Sequence, residues 1–413
     1  MKLRIASTAL ITILAATICA LPVASFAHDD KDKPVVHHGG PSGPATIKVE
    51  MNAAQGGLVA GKEISALIKL TDAKGQPVAF ENLKTAHTKK IHLLIIDESL
   101  TDYHHEHPMP TGKPGEYSFT FRPKNGGNYT VFADLLPTAT GKQEYAKTEV
   151  AVQGGTKALD ESAGTRATVD GYRFDLSAEG GNTLRVGDAK LVKVKVTKPD
   201  GQPADILEPV MGAFAHGVGF PSDRSGVVHV HPMGKEPEKA SERGGPELTF
   251  HIIPEHPGYM KFYVQVQIDG RDRFAGFGFK VDKEEPAAAT AEPPAASTLT
   301  ATQKQFLDQY EAIRVALAAD DFAAAKKAAK AIADKDKGQQ AAAGQIAKSD
   351  SIKAAREAFK LLSAEAAKLA TSQPGYFVMA CPMVENGKWV QTNRKVANPY
   401  MGAAMLGCGA IKN

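Results

Sequence analysis

The spacing of hydrophobic residues divides the chain into two halves with different periods. Between residues 45 and 283, apolar and polar residues alternate in short runs, such as Tyr117 to Phe121, and Gly, Pro and Asp separate these runs. Side chains of a strand point alternately to two faces, so the pattern predicts short antiparallel strands. Several such strands in succession indicate immunoglobulin-like or cupredoxin-like β-sandwiches.

From residue 299 onward the apolar residues recur every three or four positions, as in Phe306, Tyr310, Ile313 and Leu317. This period is typical of amphipathic helices, and it predicts two or three antiparallel helices in a small carboxy-terminal domain, residues 299–413. Residues 284–298 are rich in Ala, Pro and Glu without a hydrophobic period, which indicates a linker between the two halves.

One stretch of the β half occurs twice with the same spacing. The two copies are His92 with His105-Glu106-His107-Pro108-Met109, and His216 with His229-Val230-His231-Pro232-Met233. A Gly-Gln-Pro triplet precedes each copy. The repetition predicts a tandem pair of all-β sandwiches, residues 45–155 and 165–283.

The repeated histidines suggest metal binding. In an extended segment the two imidazoles of His-x-His project from the same face, and a histidine from another strand could complete a set of three. Imidazole suits zinc, copper, nickel or iron, and a soft thioether favours copper. The candidate ligands are His92, His105, His107, Met109, His216, His229, His231 and Met233. The alternative is that they are rim residues copied when the whole domain was duplicated.

The amino terminus has the features of a secretory signal. Lys2 and Arg4 precede an apolar segment from Ile5 to Ala20, and Ser25-Phe26-Ala27 offers small residues for cleavage. Residues 1–27 therefore predict export to the periplasm, and no later apolar run is long enough for a membrane helix. Residues 28–44 form a His-, Gly- and Pro-rich tail. His28 could bind Cu(II) through a new α-amine, or the tail could bind no metal.

Composition narrows the function. A formal net charge of +3 on 413 residues gives no reason to expect a nucleic acid partner. The sequence shows no nucleophile triad, paired catalytic carboxylates or phosphate loop, so we expect a protein that is not an enzyme. A copper oxidase stays open, because binding and redox sites use the same ligands.

Two cysteines remain after removal of the signal, and both lie near methionines. Cys381-Pro382-Met383 and Met405-Leu406-Gly407-Cys408 offer four sulfur atoms, a set that suits Cu(I) or Ag(I). The alternative in an oxidising compartment is a Cys381–Cys408 disulfide with the methionines filling the core.

The last part of the chain resembles a known family. Its motifs are Cys381-Pro382-Met383, Trp389-Val390-Gln391, Asn398-Pro399-Tyr400-Met401-Gly402 and Met405-Leu406-Gly407-Cys408-Gly409. They resemble the DUF3347 module over residues 299–411, which accompanies periplasmic adaptor subunits of copper and silver efflux systems. The sandwiches are similar to exported domains found in metal-resistance settings, with Ile91 to Ile96, His105 to Pro108 and Tyr129 to Asp134 as the matching segments. These resemblances imply heavy-metal handling.

The sequence thus predicts a periplasmic heavy-metal-binding protein for buffering, delivery or efflux-linked resistance. The expected ion is copper, as Cu(I) or Cu(II), with silver as an alternative, and the expected protein partner is a periplasmic efflux or copper-delivery protein. The competing hypothesis is an exported scaffold or adhesion protein that has a structural disulfide and no metal.

Overall fold

A computed structural model describes residues 45–178, 181–187, 189–234, 236–283, 299–333, 340–371, 373–381, 384–402 and 406–411. The predicted signal peptide (1–27), tail (28–44) and linker (284–298) lie outside the described residues, as do Met383 and Met405.

The first sandwich consists of two four-stranded antiparallel sheets. Its strands are β1 (Lys48–Ala53), β2 (Ile64–Thr71), β3 (Ile91–Asp97), β4 (Tyr103–Glu106), β5 (Met109–Pro110), β6 (Glu116–Phe121), β7 (Gly127–Leu135) and β8 (Glu144–Val152). One sheet has the order β1-β2-β6-β5 and the other β4-β3-β7-β8.

The second sandwich repeats this plan with a four-stranded and a five-stranded sheet. Its strands are β9 (Arg166–Val169), β10 (Tyr172–Ala178), β11 (Thr183–Arg185), β12 (Lys190–Thr197), β13 (His216–Pro221), β14 (Val228–Val230), β15 (Glu247–Ile252), β16 (Gly258–Ile268) and β17 (Arg271–Asp282). The sheet orders are β15-β12-β10-β9 and β11-β17-β16-β13-β14.

The alternation in the sequence accounts for the sandwich cores. In β2, Ile64, Ala66, Ile68 and Leu70 are buried, whereas the residues between them are exposed or half-buried. These side chains pack against those of the facing sheet, which include Leu93 and Ile95 of β3. Burial of such residues from both sheets supplies the main stabilising free energy of each sandwich.

Strand β3 is buried on both faces, because the two sandwiches pack against each other. Leu93 faces the core of its own sandwich, whereas Leu94 belongs to a separate apolar cluster that also includes Val218 and Phe220 of β13. Tyr263 of β16 joins this cluster and donates a hydrogen bond of 2.8 Å to the carbonyl of Leu100. The facing sheets are therefore β4-β3-β7-β8 and β11-β17-β16-β13-β14.

The carboxy-terminal domain is helical with a small sheet attached. Its elements are α1 (Ala301–Ala318), α2 (Phe322–Ala333), α3 (Gln340–Lys348), α4 (Ile352–Ala370), β18 (Phe377–Ala380), β19 (Lys388–Gln391) and β20 (Ala410–Ile411). The Thr300 side chain caps α1 by accepting from the amide of Gln303, and Ser351 caps α4. The apolar faces of the helices enclose Trp389 of β19 in one core.

The predicted fold class is confirmed: two tandem β-sandwiches precede a small helical domain. The three-stranded sheet β19-β18-β20, which carries the Cys381 segment, was not predicted. Among the residues described here, no helix is both long enough and apolar enough to cross a membrane.

Candidate metal centre

Strand pairing brings the first three histidines together. His92 and Leu94 lie on the same face of β3, and Leu94 is paired directly with His105 of β4. His107 lies just after β4, and its ring contacts that of His92 on the same side of the sheet. The three imidazoles thus lie on the face of the sheet that packs against the second sandwich.

The ring nitrogens of this first triad, His92, His105 and His107, converge. His92 Nδ1 lies 3.1 Å from His105 Nε2 and 3.2 Å from His107 Nε2, and one ligand atom from each residue lies within 4.8 Å of the others. Two nitrogens bound to one tetrahedral ion at about 2.0–2.1 Å are separated by roughly 3.3 Å. Both distances from His92 Nδ1 are close to this value.

The outer nitrogens of two of these rings have fixed partners. His92 Nε2 lies 3.0 Å from the carbonyl oxygen of Ala86, and His105 Nδ1 lies 2.8 Å from Gln265 Oε1. A carbonyl oxygen only accepts, so His92 carries its proton on Nε2 and presents a lone pair at Nδ1. Outer hydrogen bonds of this kind orient metal-binding histidines.

The second triad, His216, His229 and His231, repeats part of this geometry. His216 Nδ1 lies 3.1 Å from His229 Nε2. The outer nitrogen of His216, Nε2, lies 3.1 Å from the carbonyl oxygen of Val210. The outer nitrogen of His229, Nδ1, lies 2.8 Å from Asp134 Oδ2. The position of His231 differs: its ring centroid is 6.5 Å from that of His229, whereas the equivalent His105–His107 distance is 4.9 Å.

The two triads form one buried cluster between the sandwiches. The His229 ring centroid lies 5.4 Å from that of His105 and 5.6 Å from that of His92. The outer partners are exchanged across the interface, because Asp134 of the first sandwich binds His229 and Gln265 of the second binds His105. The two partners are at equivalent positions, since Asp134 is paired with His92 and Gln265 with His216.

Burial sets the protonation of the cluster. Desolvation lowers the pKa of His92 to about 4, against an opposing effect of Asp134, and lowers that of His107 to about 3. Burial alone would raise the pKa of Asp134, but the hydrogen bond and charge of His229 bring it below its ordinary value. The rings of His92 and His107 are thus neutral near pH 7, the form that binds metal.

The predicted methionine ligands of the sandwiches lie differently. Met109, in β5 of the outer sheet, has 58% of its surface exposed, whereas His92 is 1% exposed. Met233 is partly buried, and its amide donates to the carbonyl of Thr249 at 2.6 Å. The histidines are also at the interface between sandwiches instead of at a free rim. That location was not apparent from one repeat considered alone.

The two predicted thiol ligands of the carboxy-terminal domain lie side by side. Cys381 and Cys408 are both buried and unbridged, with 3.5 Å between their sulfur atoms. The pKa of the Cys408 thiol is raised, mainly by its hydrogen bond with Cys381 and secondly by burial. The Asn398 amide binds the Cys408 carbonyl. The structure thus brings together half of the predicted sulfur set.

Three residues of the cluster were missed from the sequence. Asp134 and Gln265 lie in the strands that pair with those of His92 and His216, and His87 approaches His231 with 3.9 Å between ring centroids. His87 stands five residues before His92 and has a left-handed backbone like Met211, five residues before His216, but the second repeat has no histidine there, so the repeat did not mark His87. The sequence of a single strand could not show that Asp134 contacts a histidine of the second sandwich, or that Gln265 contacts one of the first.

Comparison with known families accounts for the repeat. A model described as "Domain of unknown function (DUF8832)" matches residues 45–154 and again 167–283, which is more than half of the chain. No DUF3347 or heavy-metal-associated model matches, so the resemblance of residues 299–411 to DUF3347 was wrong. No curated protein matches the chain.

Solved structures resemble the chain only loosely. The Escherichia coli adhesin FdeC is 16% identical over 57% of this chain, with a TM-score of 0.19, and the chain spans 65% of its length. MtrC of Shewanella baltica is 7% identical over 63% of this chain and 73% of its own, with a TM-score of 0.18. A DUF4785 family protein of Legionella pneumophila is 10% identical over 56% of this chain and 54% of its own, with a TM-score of 0.20.

Proposed function

The chain belongs to the DUF8832 family, whose function is unknown, and we propose that its paired sandwiches bind a metal ion through His92, His105 and His107. The proposal depends on one observation, the convergence of three imidazole nitrogens in a buried place. A neutral imidazole pair at 3.1 Å needs a proton or a cation between its facing nitrogens, because two lone pairs repel.

Copper is the ion that we propose. The convergent atoms are all nitrogens, and at such sites Cu²⁺ binds more tightly than the other common divalent metals of the first transition row. The exposure of Met109 removes the thioether as an argument for copper at the first triad. The choice therefore depends on the imidazoles, and zinc is the competitor to test.

We propose a periplasmic role in copper buffering, delivery or efflux-linked resistance. The signal-like residues 1–27 support the location. A delivery role would require a protein partner that exchanges copper with the chain, and such a partner belongs to the proposal.

A matched pair of variants tests the site. His104 and His105 are neighbours in β4, but His104 points away from the cluster, where its Nε2 lies 3.1 Å from Asp102 and its ring contacts Phe121. Copper titration of the full chain should show that His105→Ala weakens binding by more than about tenfold, because removal of a partner that only orients a ligand already costs 10- to 100-fold. His104→Ala should bind copper like the wild type.

Equal copper binding by the His105→Ala and wild-type chains would contradict the first site. Zinc titration in parallel decides the metal, since tighter zinc binding would overturn the choice of copper. If neither ion binds at the cluster, the scaffold hypothesis is favoured.

A further inference from the structure

The second triad lies beside the first, and its arrangement calls for an ion of its own. The geometry points to a single two-metal centre between the sandwiches, with one ion at His92, His105 and His107 and a second at His216 and His229. This inference rests on the proposed function, which it deepens from one metal ion to two ions in a shared site.

The hydrogen-bond partners of the second pair place a proton on the outer nitrogen of each ring. The outer partners of His216 and His229 are the Val210 carbonyl and the Asp134 carboxylate. Both groups accept hydrogen bonds, so His216 carries its proton on Nε2 and His229 on Nδ1. When both rings are neutral, the inner nitrogens His216 Nδ1 and His229 Nε2 present two lone pairs 3.1 Å apart, and a cation between them would stabilise this arrangement.

Further imidazoles surround this pair. His231 is 2% exposed, and its ring centroid is only 4.3 Å from that of His216. Its Nδ1 lies 3.9 Å from Glu236 Oε1, beyond hydrogen-bond distance, and its Nε2 has no hydrogen-bond partner among the described residues, so Nε2 is available as a further metal ligand. The ring centroid of His87, in the first sandwich, lies 3.9 Å from that of His231. A fourth imidazole is therefore near the second ion position.

The two ion positions belong to one centre, because its parts come from both sandwiches. The first sandwich supplies Asp134 and His87 to the second triad, and the second supplies Gln265 to the first. The ring centroids of His105 and His216 are 5.7 Å apart, so the ions would be near neighbours. Two Cu(II) ions a few ångströms apart broaden each other's electron paramagnetic resonance signal by dipolar coupling and give a half-field transition.

The test uses the full chain with Cys381→Ser and Cys408→Ser, which removes copper binding at the thiols. After loading with Cu(II) and removal of excess ion, elemental analysis gives the copper count and electron paramagnetic resonance gives the number of uncoupled spins. We expect the cluster to hold two ions whose signal is broadened by dipolar coupling and accompanied by a half-field transition. His216→Ala should hold at least one ion fewer, and any ion that remains should give a full uncoupled signal.

Control variants separate the possible failures. His256→Ala should change neither readout, because His256 lies outside the cluster and contacts Ser225. Circular dichroism checks folding, and His229→Gln replaces His216→Ala if that variant does not fold. A copper count unchanged by the second-triad variant but lowered by His105→Ala overturns the two-metal centre and leaves the proposed function intact. A full uncoupled signal from two bound ions also overturns it, whereas no loss of copper in either variant overturns both proposals.

Discussion

His251 shows how burial of a single residue affects stability. It lies in β15 with 1% of its surface exposed, and neither ring nitrogen makes a hydrogen bond of normal geometry. Burial lowers its pKa to about 4, with only a weak opposing effect from the Gly409 backbone. A histidine in the unfolded chain has a pKa of about 6.5.

This difference predicts a loss of stability in acid. Between pH 6.5 and 4 the unfolded chain takes up a proton at His251 that the folded chain does not, so the free energy of unfolding falls as the pH falls. At pH 5 the loss from this residue is about 2 kcal/mol relative to pH 7.5. His251→Leu should remove that loss, as measured by denaturant unfolding at both pH values.

Comparison of the two chains isolates His251, because the other buried histidines titrate in both. His256→Leu is the control, and it should keep the wild-type pH dependence. If wild type and His251→Leu lose equal stability between pH 7.5 and 5, the low pKa of His251 is refuted.

At the scale of elements, the sequence predicted alternating strands such as β2 and β6 together with their faces. The alternation of β2 and the two-residue spacing of His105 and His107 predicted which side chains share a face, although His107 lies just beyond the end of β4. In β3 the apolar run from Ile91 to Ile96 has no alternation, and its physical reason is burial on both faces. The run did not show what covers the second face, since Val218 and Phe220 are far away in sequence.

The helical half was predicted to a similar extent. Phe306, Tyr310 and Ile313 are buried in α1 as their spacing requires. The small sheet was missed, because β18 and β19 are short and are positioned by pairing with each other and by packing of Trp389 into the helical core. Short strands of this kind depend on tertiary contacts more than on local sequence.

The pairing of β18 with β20 leads to a prediction for the thiols. Cys381 follows β18 and Cys408 precedes β20, so pairing of the two strands sets the 3.5 Å between their sulfur atoms. Two adjacent reduced thiols favour a soft monovalent ion, and a disulfide would remove them as ligands. Ag(I) uptake should therefore be present in reduced chain and largely lost after mild oxidation.

The matched variant for this prediction is the Cys381→Ser, Cys408→Ser double substitution, which should take up no more Ag(I) than the oxidised wild type. His105→Ala should retain the redox-dependent part of the uptake, since it changes only the histidine cluster. If reduced wild type and the double variant take up equal amounts, the thiols do not bind the ion.

At the scale of the whole molecule, the interface between sandwiches combines an apolar cluster with directional bonds. Leu94, Phe132 and Phe220 are among the side chains that fill it. Arg224 Nε donates to Thr130 Oγ1 at 3.0 Å, and the histidine bonds to Asp134 and Gln265 also cross it. Such a contact fixes the relative position of the sheets, which a site with ligands from both sheets requires.

Copper should consequently stabilise both sandwiches together. A ligand that binds only the folded state adds about 2.7 kcal/mol when its free concentration is 100 times its Kd. With ligands and their partners contributed from both sides, unfolding of either sandwich disrupts the site.

Calorimetry of the Cys381→Ser, Cys408→Ser chain should show the transitions of both sandwiches moving to higher temperature with Cu(II). The fluorescence of Trp389, the sole tryptophan, reports the carboxy-terminal core separately and should change little. A His92→Ala, His216→Ala chain should show no shift, and a copper shift confined to one sandwich would contradict a centre shared by both.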